Sequence, residues 1–403
     1  MKVLALGGCG GMGRYAVRTA VDFDAIEQIT VADLSLVNAQ SFASTFETKV
    51  DAVQVDVTDE EGLRELMSSY DVVLSTVGPY YVFGTLVLKA AIDTKTHYID
   101  ICDDWEPTLE MLELHREAEA AGITAIIGAG ASPGISNMLA VTAINELDRV
   151  DEVYTTWGGG GSLEDSDGDL EISDGNGNPT AATIHWLQQL TGTIRDHQGG
   201  HCVVSEPLVK EVLEYPVIGK AECYSVGHPE PLTLPHYFPD IRRSKNLMDM
   251  PGYIIRTLKK TADLVNNKGV SLKDAAHYLI DKLENDDASS VSDAASYYLN
   301  QHRDKKRNFL PGLTALAIGR RNDKPMRVSA HIEGQPLDGK MGAATCVPSA
   351  IILNMLCLGE ITKRGVMAPE GCVDPQRFFE LLAGYITFNG GFDAKNYLVI
   401  RHQ

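Results

Sequence analysis

Between an apolar run, Lys2–Leu6, and a helix-like run, five of the seven residues in GGCGGMG, 7–13, are glycine. Glycine weakens helices and strands, so such a cluster marks a place where backbone must bend sharply or come close to something. Gly8, Gly10 and Gly13 have the spacing G-x-G-x-x-G, which after a strand and at the mouth of a helix suits a dinucleotide pyrophosphate. Gly8 allows the tight turn, Gly10 lets phosphate reach the backbone, and Gly13 lets helix and strand pack closely. Gly11 and Met12 complete the loop. The helix N-terminus adds unpaired N–H groups and partial positive charge. Asp33 follows Gly13 by 20 residues, at the end of a second apolar run, where a carboxylate can bind both ribose hydroxyls. The same carboxylate repels a 2′-phosphate, and Leu34 and Ser35 bring no arginine, which favours NAD over NADP. Asp56, just after a third such run, stands near the adenine or simply leads the next helix.

Three further segments carry polar chemistry. In STVGPYYVFG, 75–84, Gly78 permits close approach, Pro79 stiffens the turn, and Tyr80 either reaches the nicotinamide ribose or substrate or, with Tyr81, closes a domain interface. DICDDWEP, 100–107, crowds Asp100, Asp103 and Asp104 together; these carboxylates suit a substrate amine, or a catalytic role, or a cap on the helix that follows. His185 and Arg195 share the helix-like stretch TIHWLQQLTGTIR. The Arg195 fork matches an α-carboxylate, and His185 is either a packed helical histidine or a proton carrier. The loop 158–178 places Asp165, Asp167 and Asp169 at alternate positions but lacks the glycine after Asp169, and Asn176 stands where a calcium loop needs its closing glutamate. No H-E-x-x-H, G-x-S-x-G or C-x-x-C occurs, so no metal site is expected and most hydrolase readings fall away.

Regular elements must hold these groups in place. Over residues 1–130 apolar strands at 2–6, 28–32, 50–55, 71–77, 97–101 and 123–130 alternate with helices at 11–23, 35–46, 59–68, 86–93 and 106–121. Thr58 is the expected cap of the 59–68 helix. Continuously apolar strands between helices mean a parallel sheet covered on both faces. Beyond this a helix at 136–147 and an alternating strand, 149–157, suit an antiparallel sheet. Residues 180–195 read as helix, with short strands near 201–205, 208–213 and 221–226. Residues 245–308 read as a charged helical block, 313–334 as a hairpin, and 347–360 as an apolar helix. The fold class is therefore α/β, a doubly wound parallel sheet plus a second α/β domain with a mixed sheet. The expected boundaries are 1–131 for the first domain and 132–346 with 361–403 for the second. The helix 347–360 is expected to return to the first.

Composition bounds the partners. The 403 residues suit two or three domains, and 44% hydrophobic with 22% charged is a globular balance. The net charge of −20 disfavours nucleic acid and anionic membrane surfaces as partners. Seven scattered cysteines without a close pair fit a reducing, cytoplasmic setting. No run is long enough to span a membrane, and residues 1–20 do not have the order of a signal peptide.

GGCGGMG at 7–13, HYIDICDDWEP at 97–107, GAGASPGISNMLA at 128–140 and ITKRGVMAPEGCVDPQRFFELL at 361–382 resemble segments of the saccharopine dehydrogenase family, its saccharopine reductase and lysine 6-dehydrogenase branch above all. The resemblance implies a Rossmann domain, an inserted substrate domain and NAD(P)-linked oxidation of an amino-acid C–N bond. With Asp33 it leans to a lysine 6-dehydrogenase-like activity. The alternatives are a saccharopine-type or carboxyaminoalkyl-amine enzyme working on a secondary amine, or a dinucleotide-binding protein without catalysis. An amino acid or polyamine-like substrate and a homodimer are expected.

Overall fold

The computed structural model describes residues 1–158, 173, 177–284, 309–333, 335–336, 340–387 and 397–403. Most of the Gly- and Asp-rich segment, 159–172 and 174–176, and the end of the charged block, 285–308, thus lie outside the described residues, Asp165, Asp167, Asp169 and Asn176 among them. Two compact units emerge, Met1–Thr142 with Glu333–Leu398 and Ala143–Ile332 with Val399–Gln403.

The first unit begins with β1 (Lys2–Leu6), α1 (Gly13–Ala20), β2 (Gln28–Asp33), α2 (Leu36–Ala43), β3 (Val50–Gln54) and α3 (Glu60–Met67). It continues with β4 (Val72–Ser75), α4 (Tyr80–Thr94), β5 (His97–Asp100), α5 (Trp105–Glu113), α6 (His115–Ala121), β6 (Thr124–Ile126) and α7 (Ile135–Ile144). Strands β1, β4 and β6 are short and buried on both faces, as a sheet covered by helices requires, while the edge strand β3 is partly exposed. The helix at 59–68 is capped by Asp59, whose carboxylate accepts from Gly62 N at 3.2 Å, and not by Thr58. The Thr58 hydroxyl is taken by Asp56 at 2.7 Å, leaving Asp59 to satisfy the helix N-terminus. Helix α4 starts six residues before the expected 86, directly after a cis Gly78–Pro79 bond.

The second unit holds β7 (Arg149–Trp157), α8 (Ala181–Gln189), β8 (Ile194–Gln198), β9 (His201–Ser205), β10 (Lys210–Tyr215), β11 (Gly219–Ser225) and α9 (Glu230–Tyr237). Then follow β12 (Arg243–Met248), α10 (Gly252–Lys268), α11 (Leu272–Glu284), β13 (Leu313–Arg321) and β14 (Lys324–Ile332). The chain returns to the first unit with β15 (Gln335–Pro336), α12 (Lys340–Cys357), β16 (Gly365–Met367), α13 (Pro375–Leu382) and β17 (Ile386–Thr387), and β18 (Leu398–His402) closes the second sheet.

The first sheet has the order β16-β6-β5-β4-β1-β2-β3, and its pairings are all parallel. That is the doubly wound arrangement expected, with one strand added. Residues 361–398 therefore lie with the first unit and not the second, because β16 extends its sheet beside β6. Helix α12 packs on α1, so closely that a Cβ at Gly342 would overlap the Tyr15 ring.

The second sheet is mixed: β12 runs parallel to β7, while β13, β14 and β11 pair antiparallel with their neighbours. Trp186, Leu187, Met248, Ile254 and Leu258 lie in the core beneath it. The expected hairpin is present, with Asn322 and Asp323 both at positive φ in its turn. The expected helix 180–195 stops at Gln189, and Gly192 in the left-handed region turns the chain into β8. Arg195 consequently sits on a strand and does not share a helix with His185. Among the described residues no helix is long and apolar enough to cross a membrane.

Candidate functional site

Every strand of the first sheet points the same way, so the loops after β1, β4, β5, β6 and β16 gather at one carboxyl edge. The glycine loop is built there. Gly7 takes the strained turn, at φ +70°, so the conformational freedom expected of Gly8 belongs to the residue before it. Gly8 is a packing position instead: its Cβ would stand 2.9 Å from the Ala5 Cβ and 3.2 Å from the Val17 side chain. The loop is pinned by Gly7 N to Ala32 O at 2.8 Å and Gly10 N to Gly7 O at 2.9 Å. Thr76 ties it to β4, its hydroxyl reaching Leu6 O and Gly7 O, each at 3.1 Å.

A Cβ at Gly13 would lie 2.6 Å from Thr76 Oγ1 and 2.8 Å from Gly8 Cα, so Gly13 permits the close packing expected of it. Gly11 faces open space. Met12 is the N-cap of α1 and makes no side-chain capping bond. The loop thus presents backbone and a helix N-terminus where a pyrophosphate would sit, and the residues fit a dinucleotide.

Asp33 ends β2 with both carboxylate oxygens held. Oδ2 accepts from Cys9 Sγ at 3.1 Å and Oδ1 from Ser35 N at 3.1 Å. Burial first, and the bond to Asp33 second, push the Cys9 thiol up to about 11, so it remains a donor at neutral pH. The sequence did not mark Cys9, which is a variable position of the motif. Replacing it with alanine frees one side of the carboxylate. The Kd for the pyridine nucleotide should rise about three- to tenfold, the scale of one weak hydrogen bond, and Cys9→Ser should restore it. Fluorescence titration measures this, and an unchanged Kd in Cys9→Ala would detach the thiol from cofactor binding.

Beside Asp33 opens a cleft of about 330 Å³ lined by Leu34, Gln54, Val55, Asp56, Asp59, Gly62 and Leu66. Asp56 is in it, with hydrogen bonds from Thr58 lowering its pKa. Carboxylates line this cleft and no lysine or arginine does.

The β4 and β5 loops resolve differently from expectation. Tyr80 is buried under its loop and its hydroxyl donates to Ser75 O at 3.2 Å. Burial holds its proton well above the ordinary phenol range. Gly78 and Pro79 form the turn above it. Asp100 is a structural staple: Oδ1 accepts from Cys102 N and Gly128 N at 3.0 and 2.8 Å, and Oδ2 from Tyr98 Oη at 2.9 Å. Burial pushes its carboxyl up to about 6 against those three bonds. Asp104 starts α5 through its backbone, without a side-chain capping bond, and is nearly buried; Asp103 beside it is half-buried.

The segments after β6 and β16 meet directly. Asn137 Oδ1 accepts from Gly134 N at 2.8 Å, and its Nδ2 donates to Glu370 Oε2 at 2.8 Å, with both residues buried. A buried bond across 233 residues is invisible to local pattern, though each partner lies in a segment the sequence singles out.

In the second unit, His185 on α8 has Nε2 3.1 Å from Gln189 Nε2. Arg195 projects from β8 on the face opposite its neighbour Asp196, which is buried against Lys245 at 3.4 Å.

Residues 3–126 match the family model described as the saccharopine dehydrogenase NADP binding domain, and residues 130–387 that of the saccharopine dehydrogenase C-terminal domain. Saccharopine dehydrogenase (NADP(+), L-glutamate-forming) of Saccharomyces cerevisiae is 34% identical over 173 residues, 42% of this chain and 37% of that protein. Carboxynorspermidine synthase of Vibrio cholerae is 25% identical over 267 residues, covering 59% and 60%. The matched stretches thus span little more than a third of the first relative and three-fifths of the second. The apo saccharopine dehydrogenase (L-Glu forming) structure from Saccharomyces cerevisiae covers 100% of this chain and 99% of its own, with a TM-score of 0.64 and 19% identity. That likeness is one of fold.

Proposed function

The chain belongs to the saccharopine dehydrogenase family, and from that membership we propose that it is a pyridine-nucleotide oxidoreductase acting on the C–N bond of an amino acid. The observation that carries the reading is the gathering, at one sheet edge, of the glycine loop, Asp33, the Asp103–Asp104 turn and the Asn137–Glu370 pair. When bound, the nicotinamide takes up or gives back a hydride. The chain supplies the rest. Asp33 holds the ribose, Asp104 binds the substrate ammonium, Arg195 binds its carboxylate, and the amine proton passes to Asp103 or His185. The preferred substrate is lysine or a similar diamino acid, oxidised to an imine that hydrolyses or cyclises. The names of the two relatives favour the second reading, a secondary amine of the saccharopine or carboxyaminoalkyl kind.

NAD is the proposed cofactor, supported by Asp33 and by the carboxylates Asp56 and Asp59 in the adjoining cleft. The matching family model's NADP description and the yeast relative's name point the other way, so both cofactors belong in the assay. Purified protein is incubated with NAD or NADP and lysine, saccharopine or carboxynorspermidine, and nicotinamide absorbance is followed. Reduction with lysine supports the first reading and reduction only with secondary amines the second. Cofactor binding without turnover of any amine would sink both. Arg195→Ala should raise KM for the carboxylated substrate about tenfold or more while leaving the cofactor Kd in place. Parent-like kinetics would remove Arg195 from the carboxylate site.

A further inference from the structure

Strand β9 stands at a margin of the second sheet. It pairs with β8, from Ile194 opposite Ser205 to Gln198 opposite His201, and among the described residues no strand lies along its other edge. Gly199 and Gly200, at φ +65° and +85°, make the tight turn between the two strands. An uncovered edge offers a row of backbone N–H and C=O groups to which a further strand can be added.

The composition of β9 does nothing to discourage that addition. Its five residues, HCVVS, include no lysine, arginine, carboxylate or proline. The other marginal strands of the sheet do carry charge, Lys210 and Glu214 on β10 and Arg401 on β18, which is how natural edges are blunted. Cys202 and Val204 share one face of β9. Cys202 is exposed, and so is 58% of Val204.

Charge flanks the strand, with opposite sign at its two ends. At the turn, Gly200 N donates to Arg242 O at 3.1 Å, and the Arg242 guanidinium lies 3.1 Å from where a Gly200 Cβ would stand. At the far end Glu206 follows directly. Both side chains are exposed, and among the described residues neither makes an ion pair. A strand positive at one end and negative at the other is complementary to itself when it runs antiparallel to its own copy.

We propose that β9 pairs antiparallel with β9 of a second copy of this chain, about a two-fold axis at Val203. In that register Cys202 lies opposite Val204 of the second copy, and Gly200, with Arg242 beside it, lies opposite Glu206 of the second copy. The axis repeats each contact, and the two second-unit sheets become one. A chain of net charge −20 repels its own kind, so copies meet at least cost along a seam whose only carboxylates face arginines. A seam this short falls below the usual size of a stable interface, and the dimer is expected to dissociate in the micromolar range. The pairing is independent of the activity proposed above.

The test is sedimentation equilibrium of the full-length protein from roughly 1 to 200 μM, a range that brackets such a Kd. The parent should pass from monomer to dimer within it. Glu206→Arg sets two cations against each other at both ends of the seam and should raise the dimer Kd about tenfold or more. It does so while bringing the chain's net charge nearer zero, so weaker general repulsion cannot produce that result. Arg242→Glu should weaken the dimer likewise. The double variant, Arg242→Glu with Glu206→Arg, restores opposite charges and should recover the parent Kd to within about threefold. Both positions are exposed, so all three variants should melt with the parent. A parent that stays monomeric throughout overturns the proposal. So does a dimer that the single changes leave intact, or one that the double change does not recover.

Discussion

Gly13→Ala is expected to abolish measurable dinucleotide binding, a loss of roughly 100-fold or more in affinity, and to cost about 1–3 kcal/mol of stability. The added methyl would meet Thr76 Oγ1 at 2.6 Å and Gly8 Cα at 2.8 Å, with the Gly7 carbonyl also in its way. Two of these three obstacles are backbone. They cannot step aside cheaply, because Gly7 N is bonded to Ala32 O and Gly10 N to Gly7 O. To admit the methyl, the loop must open away from α1, which spoils both the turn and the N–H groups proposed to hold the phosphate. Calorimetry with and without cofactor reads both effects. Gly11→Ala is the stability control, since no atom lies within 4 Å of its Cβ position and its melting temperature should stay with the parent. A Gly13→Ala protein that binds cofactor like the parent would mean that the pyrophosphate sits elsewhere.

Asp33→Arg should invert cofactor preference. The substitution removes the acceptor proposed for the ribose hydroxyls and supplies a cation for a 2′-phosphate. NAD affinity is expected to fall by roughly two orders of magnitude, the scale of losing a charged acceptor in a formed site. The NADP gain should be smaller, about tenfold, because Asp56 and Asp59 still line the neighbouring cleft and oppose the phosphate. Paired titrations with the two cofactors measure the asymmetry. If the parent protein already prefers NADP, or if the substitution leaves the preference unmoved, Asp33 does not read the ribose.

The first sheet was legible because its strands carry their own signal. Val72–Ser75 and Thr124–Ile126 are apolar or nearly so and bounded by helices, and burial on both faces leaves no room for alternation. The second unit hid its strands where charge was paired inside. Strand β12 reads RSKNLM, and from Lys245 on it has the composition of the charged helical block expected over 245–308, yet Lys245 is only 8% exposed. Its ammonium is held by Glu211 at 2.7 Å and Asp196 at 3.4 Å, both from other strands. Buried charge looks like surface in a sequence until its partners are known. Helix α9 was missed for a local reason, the prolines at 231 and 235. Of the site, the glycine loop and Asp33 were legible from spacing alone. Cys9, Thr76 and the Asn137–Glu370 bond were not, because each depends on a partner brought in by the sheet.

Strand β16 has a consequence for how the protein is made. Without it β6 is the outermost strand of its sheet, and Thr124, Ala125 and Ile126 are fully buried. Thr124 makes side-chain bonds to Lys363 and Arg364, 239 and 240 residues later. A ribosome therefore releases the first sheet with an apolar, unpaired edge and must synthesise β7 to β14 of the second unit before that edge is covered. Such an edge is a template for pairing with any neighbouring nascent chain, and its proper partner is among the most non-local in the molecule. The sheet begun first thus waits on a strand made near the far end of the chain, and during that interval its open edge is exposed to wrong pairing.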